Sequence, residues 1–243
     1  MPKVATKPYR SFDKYIGKHT GQRCFIIGSA PSLAEEDLSL LDDEIVFVGN
    51  RAFKSLDMGL KKIDYYVMTA EKSHYEAYHN EINQYVKCDR FYASHVAKTG
   101  AYRHGPREPF VEILKRKGPE MRYMEDEWQI PKKFNQTWEE SGTVAFDSSL
   151  IAYFMGFTHI YLLGVDLSYS KGQNYFYKFS STSYQYERDQ LMAGIDKTAP
   201  HLRQYFDKRG IVWKNLSAGY RNNVHKQFNL MDTGTLNEVI ANG

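Results

Sequence analysis

This sequence predicts an α/β chain: a doubly wound, mostly parallel sheet with helices on both faces and an inserted lid region. Three observations carry that expectation. Short apolar runs recur along the chain, separated by stretches of about ten to fifteen residues that suit helices, which is the rhythm of a parallel sheet. The first run, Arg23-Cys-Phe-Ile-Ile27, breaks into the small residues Gly28, Ser29, Ala30 and Pro31, as a strand-to-helix turn does where a ligand approaches the backbone. Between about 94 and 140 the rhythm stops, and Gly100, Gly105, Pro106, Pro109, Gly118, Pro119 and Pro131 interrupt a polar, basic background that reads as an insert and not as core.

Taken in order, residues 1–22 are polar and basic and read as an arm or a leading helix around Tyr9 to Ile16. The core begins at Arg23. Ser32 is placed to cap a helix over 33–41, whose open N–H groups and positive dipole end suit an anionic group. Strands follow at 44–48, ending in Gly49-Asn50-Arg51, at 64–68, closed by Thr69-Ala70-Glu71, and at 89–93. After the insert, Ser141-Gly142-Thr143 opens an apolar helix that Gly156 stops. The most apolar strand, 159–163, ends at Gly164-Val-Asp166, and a polar, aromatic loop over 167–183 leads into a long helix reaching Lys208. A last strand is expected at 211–215, and after Ser217 a polar tail with a short helix near Leu236. The domain division is therefore an arm (1–22), one core (23–217) and a tail (218–243).

A chain of 243 residues with 25% charged residues and a net charge of +3 is only mildly basic, and nothing in that balance points to nucleic acid. Nineteen tyrosines and fourteen phenylalanines supply flat faces for bases and sugars, or simply pack. Cys24 and Cys88 sit among apolar or aromatic residues and behave as reduced, buried thiols, so a cytoplasmic setting is expected. No apolar run is long enough to span a bilayer, so membrane contact, at the inner face, would be peripheral. Lys98, Arg103, Arg107, Lys115, Arg116, Lys117 and Arg122 make the insert locally basic, either as a solvated face or as a patch for a phosphate-bearing acceptor or an anionic membrane.

In such a sheet, ligands bind outside the carboxyl ends of the strands, near the point where strand order reverses. The residues expected there are Gly28, Ser29, Pro31 and Ser32, then Asn50 and Arg51, then Thr69 and Glu71, and finally Gly164, Asp166 and Ser168. Asn50 offers an amide to a base edge or ribose, or serves as a left-handed turn residue; Arg51 offers a planar fork to phosphate. Ser141, Gly142 and Thr143 form a second helix start, an anion site or an ordinary cap. Asp166 can orient a loop, accept from ligand hydroxyls or act as a base, and Tyr175 and Tyr177 can stack on a ring. A literal Asp-x-Asp pair, metal-ligand clusters, a G-x-S-x-G elbow, a Walker A motif and a full G-x-G-x-x-G are missing, which removes most support for hydrolase, P-loop kinase and nicotinamide dehydrogenase readings.

Together Ile27-Gly-Ser-Ala-Pro-Ser-Leu33, Val48-Gly-Asn50, Ser141-Gly-Thr143 and the stretch from Ala152 to Asp166 resemble the bacterial hydroxymethylpterin pyrophosphokinase-like domains encoded with surface-polysaccharide genes. More distantly, the chain is similar to bacterial CMP-sialic acid dependent sialyltransferases. The resemblance implies a single Rossmann-like domain that transfers a sugar of the sialic acid or Kdo type from a CMP-linked donor, inverting and without a metal, to a glycan or lipid-linked acceptor. Homo-oligomers are compatible with it. It puts Ser29 and Asn50 at the nucleoside, Ser141 to Thr143 at the phosphate or cytosine, and Ser168 and Tyr175 at the donor phosphate. Ser29 and Ala30 depart from the asparagine and glycine of the relatives. The relatives' catalytic histidine before the last long helix is also missing, so the base stays open among Asp189, Glu187, Asp166 and His201. The alternatives are an ATP-dependent pterin diphosphotransferase and a non-catalytic nucleotide-sugar or glycan binding subunit.

Overall fold

The computed structural model describes residues 11–70, 72–97, 110–113, 115–116, 138–139, 141–168, 175–177, 184–221 and 231–242. Chain order runs β1 (Arg23–Ile27), β2 (Val46–Gly49), β3 (Tyr65–Met68), helix α1 (Lys72–Tyr85), β4 (Asp89–Ala93), β5 (Phe110–Ile113), β6 (Lys115–Arg116) and β7 (Trp138–Glu139). It continues with α2 (Val144–Phe154), β8 (His159–Leu163), α3 (Tyr184–Asp207), β9 (Val212–Asn215), β10 (Asp232–Thr233) and α4 (Leu236–Ala241). Among the described residues, eight strands form one sheet in the order β10-β9-β8-β1-β2-β3-β4-β5, and every pairing is parallel. β6 and β7 pair separately.

The topology follows from β1 lying in the middle. The chain first winds outward to β5, then returns to the other flank of β1 through β8, so strand order reverses between β1 and β8, where Ile27 lies beside Leu163. Strands covered on both faces are continuously apolar, and four of the five residues of β1 and all four of β2 are buried. On one face Cys24, Ile26 and Phe47 meet Phe146 and Leu150 of α2 and Ile195 of α3. On the other, Phe25, Ile27 and Val48 meet Leu33, Leu38 and Ile82. Arg90 of β4, fully buried, pins the end of α1 to the sheet by donating to Asn83 Oδ1 (2.8 Å) and the Val86 carbonyl (2.6 Å).

Three elements differ from the expectation. The helix over 33–41 is two short 3-10 turns, Pro31–Glu35 and Leu38–Leu41, with Ala30 rather than Ser32 in the cap position. Ser32 cannot cap because its N–H and hydroxyl are both drawn to Asp166, while Asp37 starts the second turn by accepting from Ser39 N–H (3.1 Å). Inside the expected insert, Phe110–Ile113 is a core strand. Val111 and Ile113 are buried, and Ser94 Oγ donates to the Ile113 carbonyl (2.8 Å). The flanking glycines and prolines hide this four-residue run. β10, only two exposed residues long, has no alternation to read.

Residues 11–22 lie against the core: Phe12 and Tyr15 pack edge-on against Phe91 (5.9 and 5.2 Å), and Gly17 and His19 N–H groups donate to Phe154 and Met155 carbonyls. Among the described residues, no helix is long and apolar enough to cross a membrane.

Candidate functional site

The expected site residues separate into two neighbouring places along the carboxyl edge of the sheet. At the β1–β8 junction, the first loop is closed onto the chain itself. Gly28 N–H donates to the Leu163 carbonyl (2.7 Å) and Ala30 N–H to the Gly164 carbonyl (2.9 Å). A Cβ on Gly28 would overlap the Gly164 carbonyl oxygen, so only glycine permits this approach. Pro31 opens the following turn, and the Asp166 carboxylate takes the N–H (3.3 Å) and hydroxyl of Ser32. Its other side lies against Gly219, where a Cβ would run into the carboxylate. The anion seat of a helix start is thus filled by a carboxylate of the chain, and the turn offers no open cradle for phosphate. Burial pushes the Asp166 carboxyl up, opposed by the hydrogen bonds from Ser32. Behind it, Val165 N–H bonds Ser217 Oγ (2.8 Å) and Asn215 Nδ2 bonds the Val165 carbonyl (2.7 Å), fixing the loop after β8.

One strand further over, beyond β2 and β3, the chain leaves a cavity of about 180 Å³. Ser29, Asn50 and Arg51 line it from the loops after β1 and β2, Tyr175 and Tyr177 from the segment after β8, and His74, Tyr78 and Ile82 from α1. Asn50 makes the opening. It adopts the left-handed conformation (φ 48°), donates its N–H to the Val67 carbonyl (2.8 Å), and accepts on Oδ1 from the N–H groups of Thr69 (3.1 Å) and Ala70 (3.2 Å). Asn50 is therefore the left-handed turn residue, and its Nδ2 group is what it can present to a ligand.

Arg51 lies over the rings of Tyr78 (3.9 Å) and Tyr177 (4.8 Å) and faces Glu81 (3.5 Å), which also pairs with Lys54 (3.0 Å). Its Nε is buried without a hydrogen-bond partner among the described residues. The short segment 175–177 closes over the cavity: Phe176 N–H donates to the Ser29 carbonyl (3.0 Å), Tyr177 is hydrogen-bonded to the Ser29 side chain, and Tyr175 stacks on Tyr177 (5.2 Å). Burial pushes the Tyr177 phenol up, so it stays a neutral donor. Tyrosine faces with two fixed N–H donors suit a ring with acceptor atoms on its edge, and the volume is about that of one ring system.

The remaining expected residues lie elsewhere. Thr143 caps α2 by accepting from Ala145 N–H (3.4 Å), while Ser141 is buried and donates to the Thr143 carbonyl and Asp147. Gly142 (φ 81°) packs against Ile195, so this helix start faces α3 as an ordinary cap. Ser168 and His201 are exposed, and neither lines the cavity. Glu71 and the side chains of Glu187 and Asp189 lie outside the described residues, as do Lys98, Arg103, Arg107, Lys117 and Arg122 of the expected basic patch.

Sequence reasoning missed the contribution of α1. Its signal was present, because His74, Tyr78 and Ile82 recur every four residues and so share one helix face. No curated protein matches the chain. A family model described as 6-hydroxymethylpterin diphosphokinase MptE-like matches residues 2–172, which takes in β1 to β8, the junction and every cavity residue named above except Tyr175 and Tyr177. With most of its length matched, the chain belongs to the MptE-like family.

Proposed function

We propose that this chain is a metal-independent transferase of surface-glycan or lipopolysaccharide biosynthesis that moves an acidic sugar from a CMP-linked donor to a hydroxyl of the growing glycan. The observation that carries this reading is the cavity beyond β2 and β3. Its tyrosine faces suit the C–H face of a sugar ring, and the Arg51 and Asn50 donors suit a carboxylate or hydroxyls on that ring. The nucleotide would extend past Ser29 along the carboxyl edge. Calorimetric titration with CMP, CDP, UDP and ATP tests it: CMP is expected to bind most tightly, and transfer from CMP-Kdo or CMP-N-acetylneuraminic acid is expected to persist in EDTA. Failure to bind any of the four nucleotides would sink it.

The family description favours a second reading, in which ATP donates a diphosphate to the hydroxymethyl group of a pterin, a flat ring that the same cavity accommodates. Tightest binding of ATP with magnesium, with AMP released only when the pterin is present, selects it. Nucleotide binding without transfer by either route identifies a binding subunit instead.

A further inference from the structure

In either reaction the acceptor is an alcohol, and its oxygen attacks well only as a group within hydrogen-bond reach takes its proton. Of the residues expected for that task, Asp166 is committed to Ser32 and only 5% exposed, and His201 is exposed on α3 away from the cavity. The cavity contains its own histidine. His74 belongs to the first turn of α1, the end of the helix that starts at the carboxyl edge just after β3. Ile82, on the same face, lies about 12 Å further along the axis toward the amino edge. His74 therefore marks the end of the stripe nearer the carboxyl edge, and it lines the cavity together with Asn50 and Ala70 of the loops and Tyr175 of the closing segment.

We infer that His74 is the general base of the transfer, an assignment that rests on the transferase reading above. Among the described residues, the titratable groups that share the cavity with it are Arg51 from the β2 loop, Tyr78 from its own helix, and Tyr175 and Tyr177 from the segment after β8, with Glu81 held behind Arg51. A guanidinium cannot accept a proton, and phenols are protonated at neutral pH, so among these groups imidazole is the one suited to accept. In the step, the acceptor O–H proton passes to a ring nitrogen of His74, and the oxygen forms its bond to the anomeric carbon. The bond from that carbon to the CMP phosphate oxygen breaks, its electron pair leaves on the phosphate, and the imidazolium releases its proton to water. In the diphosphotransferase reading the same proton transfer accompanies attack on the β-phosphorus, with AMP leaving.

The test compares wild type, His74→Gln and His74→Ala with CMP-Kdo, CMP-N-acetylneuraminic acid and lactose, and with ATP, magnesium and hydroxymethyldihydropterin. Transfer is measured from pH 5 to 9 and nucleotide affinity by calorimetry, with a thermal melt for each variant. His74→Gln is expected to lower kcat by about 100-fold or more, to leave nucleotide affinity within about threefold, and to abolish the acid limb of the pH profile. Added imidazole is expected to restore part of the rate of His74→Ala. Unchanged turnover and an unchanged acid limb in a folded His74→Gln variant overturn this assignment alone, and so does a loss confined to nucleotide affinity. A wild-type protein inert with every donor overturns the transferase reading, and this assignment with it.

Discussion

At the β1–β8 junction, the N–H groups of Gly28, Ala30 and Ser32 all end on acceptors of the chain, and the carbonyl of Gly164 lies where any side chain on Gly28 would sit. Beyond β2 and β3, the left-handed turn at Asn50 and the His74-Tyr78-Ile82 face of α1 hold the loops apart around about 180 Å³ of space. Both places have the small and polar residues that suggest a ligand. The difference teaches that donors make a site only where no internal acceptor reaches them. Asp166 reaches the first turn and closes it, whereas nothing among the described residues reaches Arg51 Nε.

Four variants sharpen or break this contrast. The largest effect is expected from Gly28→Ala: its methyl group would meet backbone, which cannot swing aside, so denaturant unfolding should show a loss of about 3 kcal/mol or more. Wild-type stability in that variant would show that the junction is not closed as described. Asp166→Asn comes next, with an expected cost of about 1–3 kcal/mol at acidic pH, where the carboxyl contributes most, as an amide replaces the acceptor of both Ser32 hydrogen bonds.

The pH dependence of that same variant has a definite sign. The folded-state pKa of Asp166 is raised, by burial first, so the folded chain holds this proton more tightly than the unfolded one. That contribution is fully present below the ordinary carboxyl range and is lost as pH rises through the raised value. Glu36, raised by burial as well, acts in the same direction. Stability measured from pH 3 upward should therefore contain a falling component in wild type that shrinks in Asp166→Asn; equal slopes in the two proteins would contradict the buried carboxylate.

Arg51→Ala tests the open side of the comparison. Nucleotide or donor affinity should fall about tenfold, or about 1.4 kcal/mol, in a variant that still folds, with some loss of melting temperature because Arg51 also packs between Tyr78 and Tyr177. A stability loss with unchanged affinity would make Arg51 a structural clamp between Tyr78 and Tyr177. Tyr177→Phe, the mildest change, removes only the hydrogen bond to Ser29. It should cost about 1 kcal/mol or less in stability and loosen the closing segment, detectable as faster amide exchange at Phe176.

Much of this was legible from the sequence. β4 and β8 fall on the expected residues, and Gly156, with φ 95°, ends its helix as expected, because strand burial and a left-handed stop are local properties written in adjacent residues. Ser29, Asn50, Arg51 and Tyr175, all named from the sequence, line one cavity, since they lie in segments that follow strands at the carboxyl edge that the α/β rhythm implies. The helix over 33–41 was not legible, because its fate depends on Asp166, 134 residues from Ser32. The α1 stripe is legible only as a helix face, because His74, Tyr78 and Ile82 are four residues apart and none of them lies at a strand end.

The sequence by itself determined a parallel sheet starting from Arg23, a glycine-lined first loop, an asparagine turn after β2 and an aromatic segment after β8. Only the tertiary structure decided that the first loop is closed by Asp166, that Phe110–Ile113 joins the sheet, and that His74, Tyr78 and Ile82 wall the cavity. Periodicity and turn chemistry act between residues a few positions apart. Which carboxylate fills which helix start, and which side chain faces which space, is fixed by packing between elements that meet only after the sheet has formed.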